Sequence, residues 1–508
     1  MDQELKAIKK YKVYDASKPQ WVDPQTPEGK RKLERTVGLR WQHDTAADGS
    51  KLSTLIAEGN KQPKETYGSD ISAPTLSMKL LRTIISYAVY YQMQFHKVEV
   101  KHAFMYADLD TELYVNPPPK DPILADNRIK SGLTPIYKLN KAMQGLKQSH
   151  VRWYEHLRKF MVAIGFKTSP DAPAVFVANV NFIFNTIIVG VFGDELFVVT
   201  LHPESYTWFQ TQLNRYFEIK EFYRPKKFMG LDISYEKESV KISKKTQIEK
   251  LIKKYSLDPK AGGKLDSPIP AKFDWSRFDD KENLIAKMSD DDLAEGKKWM
   301  NSRMGALNDL ANTCREDISK YVAKLSQFQD YPHLLIQRLV QRVLLYVAQT
   351  PDKGVSYNRA SLHPTIINCW TGRFAPAQCS ILKYFIYTTG NITWGSREIK
   401  SSATEMDDRF TILFKAMDEI YWIRRVWLFL KRGRDDKDLL TDEVAVLIDD
   451  EDMFDHFVNN DYKSSSNELM DKFRPAQKLL TSHKWMFGPI DPNPVWMAEE
   501  ELKDKLVI

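Results

Sequence analysis

The stretch from Ile187 to Val199 constrains this chain more than any other. It reads Ile-Ile-Val-Gly-Val-Phe-Gly-Asp-Glu-Leu-Phe-Val-Val, two β-branched and aromatic runs around Gly193-Asp194-Glu195. Such side chains favour strands, and a short glycine-containing break between two runs favours a hairpin. The tip then carries paired carboxylates, Asp194 and Glu195. A second apolar segment, Val98-Glu99-Val100-Lys101-His102-Ala103-Phe104, sets Glu99 between two valines. Three acids on two strand ends can hold two divalent cations about 4 Å apart, an arrangement suited to displacement at phosphorus. Glu99, Asp194 and Glu195 are therefore the candidate metal ligands and catalytic residues.

A length of 508 residues allows roughly three or four domains. With 43% hydrophobic residues the chain can bury ordinary cores, and a net charge of +7 fits contact with a polyanion without deciding it. Cys314, Cys369 and Cys379 are too few and too scattered for a disulfide framework or a four-ligand zinc site. No apolar run approaches the roughly 20 residues of a membrane span, and Met-Asp-Gln-Glu-Leu-Lys lacks a signal peptide's apolar core. The expectation is an intracellular protein of the cytoplasm or nucleus, neither secreted nor membrane-bound. His96, His102 and His150 lack metal-ligand spacing and read as structural or solvent-facing.

Residues 1–50 are polar and broken by Pro19, Pro24 and Pro27. Apolar spacing predicts helices over 75–95, 151–164 and from 200 to about 217, with the acidic hairpin over 182–200. Residues 228–233 read as a short strand entering a turn. Residues 244–256 read as an amphipathic helix whose lysine face is solvated. The proline- and charge-rich stretch 257–290 reads as linker, and long helical patterns cover 291–312 and 316–350. Beyond 363 come strands at 365–370, 381–389 and 392–394, a helix at 405–431, and a strand at 444–448.

Several ordered motifs name a family. Tyr106-Ala-Asp-Leu-Asp-Thr-Glu-Leu-Tyr-Val-Asn-Pro-Pro-Pro119, Lys138-Leu-Asn-Lys-Ala-Met-Gln-Gly-Leu-Lys-Gln-Ser149 and Met229-Gly-Leu-Asp-Ile233 resemble the reverse transcriptase of copia-type retrotransposons, nearest in look to the yeast Ty elements. Gly305-Ala-Leu-Asn, Thr313-Cys-Arg-Glu-Asp-Ile318, Tyr331-Pro-His333 and Thr350-Pro-Asp-Lys-Gly354 are similar to the connection segment of those polyproteins. Gly390-Asn-Ile-Thr-Trp394 and Ser402-Ala-Thr-Glu405 are similar to their ribonuclease H domain. The likeness runs from about residue 38 to 460. It implies an α+β right-hand polymerase fold over 38–256, a linker and helical connection over 257–362, and a ribonuclease H-like α/β domain over 363–460. An N-terminal extension (1–37) and a C-terminal tail (461–508) flank them.

The resemblance puts the palm acids on Glu99, Asp194 and Glu195, where the family has three aspartates. Each glutamate carries its carboxylate one methylene further out. Magnesium demands near-ideal octahedral geometry at about 2.0–2.1 Å, and a misplacement of ~1 Å can cost about a hundredfold in rate. In the fingers strand Leu52–Gly59, family cations are replaced by Leu52, Thr54 and Glu58, with Lys51 beside them as a stand-in. The Gly145-Leu-Lys-Gln-Ser149 loop is intact, which makes Gly145, Lys147 and Gln148 candidates for nucleotide or template contact, or else a purely structural turn. In the ribonuclease H part, Thr371 or Gly372 stands where the first acid belongs, while Asp407 and Asp449 fall at the helix acid and the third acid. That site reads as incomplete and catalytically dead.

Two functional expectations follow. One is a reverse transcriptase by descent, impaired or inactive, using Mg2+ or Mn2+ on a primer–template for whatever RNA-directed DNA synthesis remains. The other is a co-opted, non-catalytic scaffold binding nucleic acid such as an RNA–DNA hybrid, or a protein. A relic without a role is a third outcome.

Overall fold

Strand-forming residues concentrate between 94 and 223, and there a six-stranded sheet forms. Its order is Ile219–Tyr223, Gln94–Val100, Glu195–Thr200, Thr186–Phe192, Ala172–Asn179 and Lys167–Ser169. The acidic hairpin falls where its sequence places it, with Gly193 at φ +62° in the turn and Glu195 opening the second strand. A positive φ strains any residue with a Cβ, so glycine suits that corner. Helices Ser149–Ala163 and Pro203–Asn214 supply Trp153, Leu157, Met161, Phe209 and Leu213 to a core shared with Val98, Phe176, Ile187 and Val198. Burying each such side chain contributes about 1.5–3 kcal/mol, enough to fix the sheet beneath the acids.

The computed structural model describes the chain except for residues 46–48, 50, 70, 180–185, 262, 271–272, 276–277, 279–284, 287, 360–367, 375–378, 388–390, 401–403, 434–443, 449–454, 457–458, 482–484 and 490–508. The chain divides into two compact units: residues 1–76, 96–198 and 202–223 form one, and residues 77–95, 199–201 and 224–508 the other. In the first unit, Leu39–Thr45 pairs antiparallel with Lys51–Ala57 in a two-stranded hairpin. Helix Asp2–Lys10 packs Ala7 and Ile8 into a cluster with Leu39, Leu55 and Met143. The segment read as an N-terminal extension is thus built into the core of the first unit.

In the second unit, Ser77 caps helix Met78–Tyr90 by accepting from the Leu80 amide, and residues 80–89 are all buried. Arg82 is among them, donating to the backbone carbonyls of Ile392, Asn312 and Thr313. Strands Lys227–Phe228 and Leu231–Tyr235 turn on Met229 and Gly230, both at positive φ. The expected 316–350 helix is two, Glu316–Ser326 and Leu334–Gln349. Pro332 breaks the pattern, and His333 then caps the next helix through the Leu335 amide. The segment read as linker is partly core, because Ile269, Trp275 and Phe278 are buried among the helical residues.

The C-terminal strands form a five-stranded mixed sheet in the order Asn391–Lys400, Cys379–Tyr387, Asn368–Phe374, Val444–Ile448, Trp485–Pro489. The first three are antiparallel; the last two run parallel, with Val444–Ile448 paired to Asn368–Phe374. Helices Glu405–Arg432 and Asn467–Thr481 make the connections that parallel strands require. A mixed sheet was the expectation for this part of the chain. The sheet extends past residue 460, since 467–489 supply its last helix and edge strand. No helix among the described residues is long and apolar enough to cross a membrane.

Candidate active site

The strand bearing Glu99 and the hairpin bearing Asp194 and Glu195 are adjacent in the six-stranded sheet, so the three predicted acids lie on neighbouring strand ends. The Val100 amide donates to the Asp194 carbonyl at 3.0 Å, and the Trp153 indole donates to the Gly193 carbonyl at 2.9 Å. Trp153 is buried, so the turn is pinned from below. Asp194 stands exposed at the tip, yet the protein mass around its carboxyl, together with the charge of Glu99, holds its pKa above the ordinary aspartate value.

What sequence reasoning missed is Lys97. It precedes Glu99 by two residues, so the pleat puts both side chains on one face. Its ammonium donates to Glu99 Oε1 at 2.5 Å and to Glu195 Oε1 at 2.9 Å, and lies 4.6 Å from the centre of the Phe222 ring. Lys97 is only 8% exposed. Burial pushes the ammonium toward losing its proton, but the two carboxylates outweigh burial and hold its pKa above the usual lysine value. The i, i+2 spacing of Lys97 and Glu99 was the available signal.

The family's chemistry calls for divalent cations here, and the donor set does not fit them. Among the described residues, no group of three His, Cys, Asp or Glu side chains is arranged to hold a metal ion. Two of the three acids face an internal cation instead. Beside Asp194 a cleft of about 880 Å³ is lined by Lys51, Thr54, Lys101, His102 and Gln144, with the first turn of helix Asp2–Lys10 along its rim. Lys51 is exposed on that wall.

The intact loop has a structural use. Gly145 sits at φ +99°, and a Cβ there would lie 2.1 Å from the Ala57 carbonyl oxygen. Gln148 is 2% exposed and joins a buried amide network rather than facing a ligand. The Gln62 amide donates to Gln148 Oε1 at 2.8 Å and to Thr66 Oγ1 at 3.1 Å, while Gln62 Oε1 accepts from the Lys147 amide at 2.9 Å. The Gln148 amide in turn donates to the Thr66 carbonyl at 3.1 Å. Lys147 alone of the three projects an exposed side chain that could meet a ligand.

In the C-terminal sheet, Thr371 pairs in register with Ile448, the strand residue just before Asp449. Asp449 lies outside the described residues. Asp407 is 1% exposed, and its Oδ1 accepts a short hydrogen bond from the Tyr462 hydroxyl. Burial and that bond raise the Tyr462 pKa. Asp407 thus faces inward to a phenol beside Phe410 and Phe473, not outward to a metal.

A family model described as reverse transcriptase (RNA-dependent DNA polymerase) matches residues 24–266. The chain is similar, over most of its length, to copia-type retrotransposon Pol polyproteins. It is similar to the retrovirus-related Pol polyprotein from transposon TNT 1-94 of Nicotiana tabacum, 22% identical over 444 residues, covering 84% of this chain and 31% of that one. The Pol polyproteins from transposons RE1 and RE2 of Arabidopsis thaliana are 25% and 26% identical, each match covering 76% of this chain and 26% of the relative. The chain thus spans about a quarter to a third of the curated relatives' length. Among solved structures, a foamy viral protease–reverse transcriptase in complex with double-stranded DNA aligns at a TM-score of 0.43 and 10% identity, covering 90% of this chain and 66% of that one.

Proposed function

We propose that this chain is a reverse-transcriptase fold of retrotransposon descent that has lost nucleotidyl transfer and serves as a nucleic-acid-binding scaffold for primer–template or RNA–DNA hybrid. The Lys97 ammonium between Glu99 and Glu195 carries the reading, because two-metal catalysis needs those oxygens free. The engagement of Asp407 by Tyr462 supports the same reading at the ribonuclease H-like sheet. Nucleic-acid binding is supported by the net charge of +7 and by exposed Lys250, Lys253 and Lys254 on helix Lys245–Lys254.

The test is primer extension on an RNA template with Mg2+ or Mn2+, beside binding of the same hybrid across a salt series. The expected result is no incorporation, with hybrid affinity falling steeply as salt rises. Template-directed extension by the unaltered chain, abolished by Asp194→Asn, overturns the loss of catalysis. Hybrid binding that is absent at low salt rejects the scaffold.

A further inference from the structure

We infer that the Lys97 ammonium is a built-in substitute for a divalent cation, and that its presence is what makes the palm acids of this chain unfit for a metal. This rests on the proposed absence of metal-dependent chemistry but makes a separate claim, about what one residue replaces.

The geometry carries it. The ammonium bridges one oxygen of Glu99 and one of Glu195, the two positions where this chain has glutamate. A divalent ion bridging the same oxygens would sit about 2.0–2.1 Å from each, in space the ammonium now fills. An incoming ion would have to expel Lys97, a side chain 11% exposed whose ammonium lies 4.6 Å from the centre of the Phe222 ring. Expulsion leaves that ammonium without partners in a poorly solvated position, which is strongly unfavourable. Lys220 and Phe222 on the neighbouring strand pair in register with Glu99 and Lys97, and neither offers a replacement carboxylate. Without Lys97, the carboxylates of Glu99 and Glu195 would lie close together without the ammonium that now bridges them. The longer glutamate arms are then no defect: they are the right length to reach an ammonium projecting from the strand itself.

The experiment follows free Mn2+ by electron paramagnetic resonance during titration into the full chain and its Lys97→Gln and Lys97→Arg variants. Lys97→Gln should bind one ion at least about tenfold more tightly than the unaltered chain, a modest share of what one unit charge a few ångströms away is worth. Lys97→Arg keeps the cation and should bind no better than the unaltered chain. Adding Glu195→Gln to Lys97→Gln should abolish the gain. If Lys97→Gln does not fold in the absence of metal, Mn2+ must restore its fold, and failure to do so counts against the inference. Equal Mn2+ affinity in the unaltered chain and Lys97→Gln overturns it, as does a gain that survives Glu195→Gln. Neither result bears on whether the unaltered chain extends a primer, so the two proposals fail separately.

Discussion

If Gln148 belongs to a buried amide network, replacing it should cost stability rather than ligand affinity, and the hydrogen bonds it makes set the size. Gln148→Leu removes the acceptor for the Gln62 amide and the donor to the Thr66 carbonyl. Both abandoned groups keep another partner: the Gln62 amide still reaches Thr66 Oγ1 at 3.1 Å, and the Thr66 carbonyl still accepts from Thr111 Oγ1 at 2.9 Å. Two net hydrogen bonds are lost at about 0.5–1.5 kcal/mol each, for a total near 2 kcal/mol. Gln62→Leu is worse. It strips the part-buried Lys147 amide and the buried Gln148 Oε1 of their Gln62 partner; the buried oxygen costs about 1–3 kcal/mol and the lost bond to the amide about 0.5–1.5, near 3 in total. Thermal unfolding followed by tryptophan fluorescence should therefore rank the unaltered chain above Gln148→Leu and Gln148→Leu above Gln62→Leu. For a unit of this size the first step corresponds to about 4–8 °C. Hybrid affinity, measured well below either midpoint, should be unchanged. A Gln148→Leu chain as stable as the original, but binding hybrid tenfold more weakly, would refute the reasoning and return Gln148 to the ligand-facing surface.

Two further outcomes are expected. His96 is 6% exposed, stacks on Tyr206 with ring centroids 3.6 Å apart, and has its pKa pushed down to about 4 by burial, the Glu221 charge only partly opposing. The folded state thus stays neutral where the unfolded chain, titrating near 6.5, takes up a proton. Stability should fall as pH drops from about 6.5 to about 4, by at most ~3 kcal/mol, and His96→Phe should flatten that slope in chemical denaturation. Parallel curves for the two proteins would sink this. Tyr462→Phe keeps the ring against Phe410 and Phe473 but deprives buried Asp407 of its phenol donor, and should lower stability by about 1.5–3 kcal/mol in urea denaturation. A change below about 0.5 kcal/mol would mean the carboxylate is satisfied elsewhere.

The elements written in local pattern were legible from the sequence. The acidic hairpin, the 78–90 and 405–432 helices and the 444–448 strand needed only periodicity and glycine placement. The split at Pro332 was in the sequence too, but the apolar spacing runs on across the proline and disguised it. The partners of the acids were harder to see. Tyr462 lies 55 positions from Asp407, and Gln62 lies 86 from Gln148, so no window of sequence brings either pair together. Lys97 was close in sequence to Glu99, yet a lysine inside an apolar strand reads as one more surface charge until the hairpin carrying Glu195 is laid beside it. Burial of Ile269, Trp275 and Phe278 went unseen because prolines and charges dominate their stretch.

Helix Met78–Tyr90 is bracketed in the chain by segments of the first unit, yet Arg82 ties it to carbonyls at residues 312, 313 and 392. Cutting the gene at residue 224 would therefore not yield an independently folding C-terminal half, because three backbone acceptors would lose a guanidinium supplied from 230 or more positions upstream. A ribosome making this protein must finish most of it before that early helix finds its place, and a recombinant fragment begun after it should be insoluble unless the helix is supplied as a separate peptide.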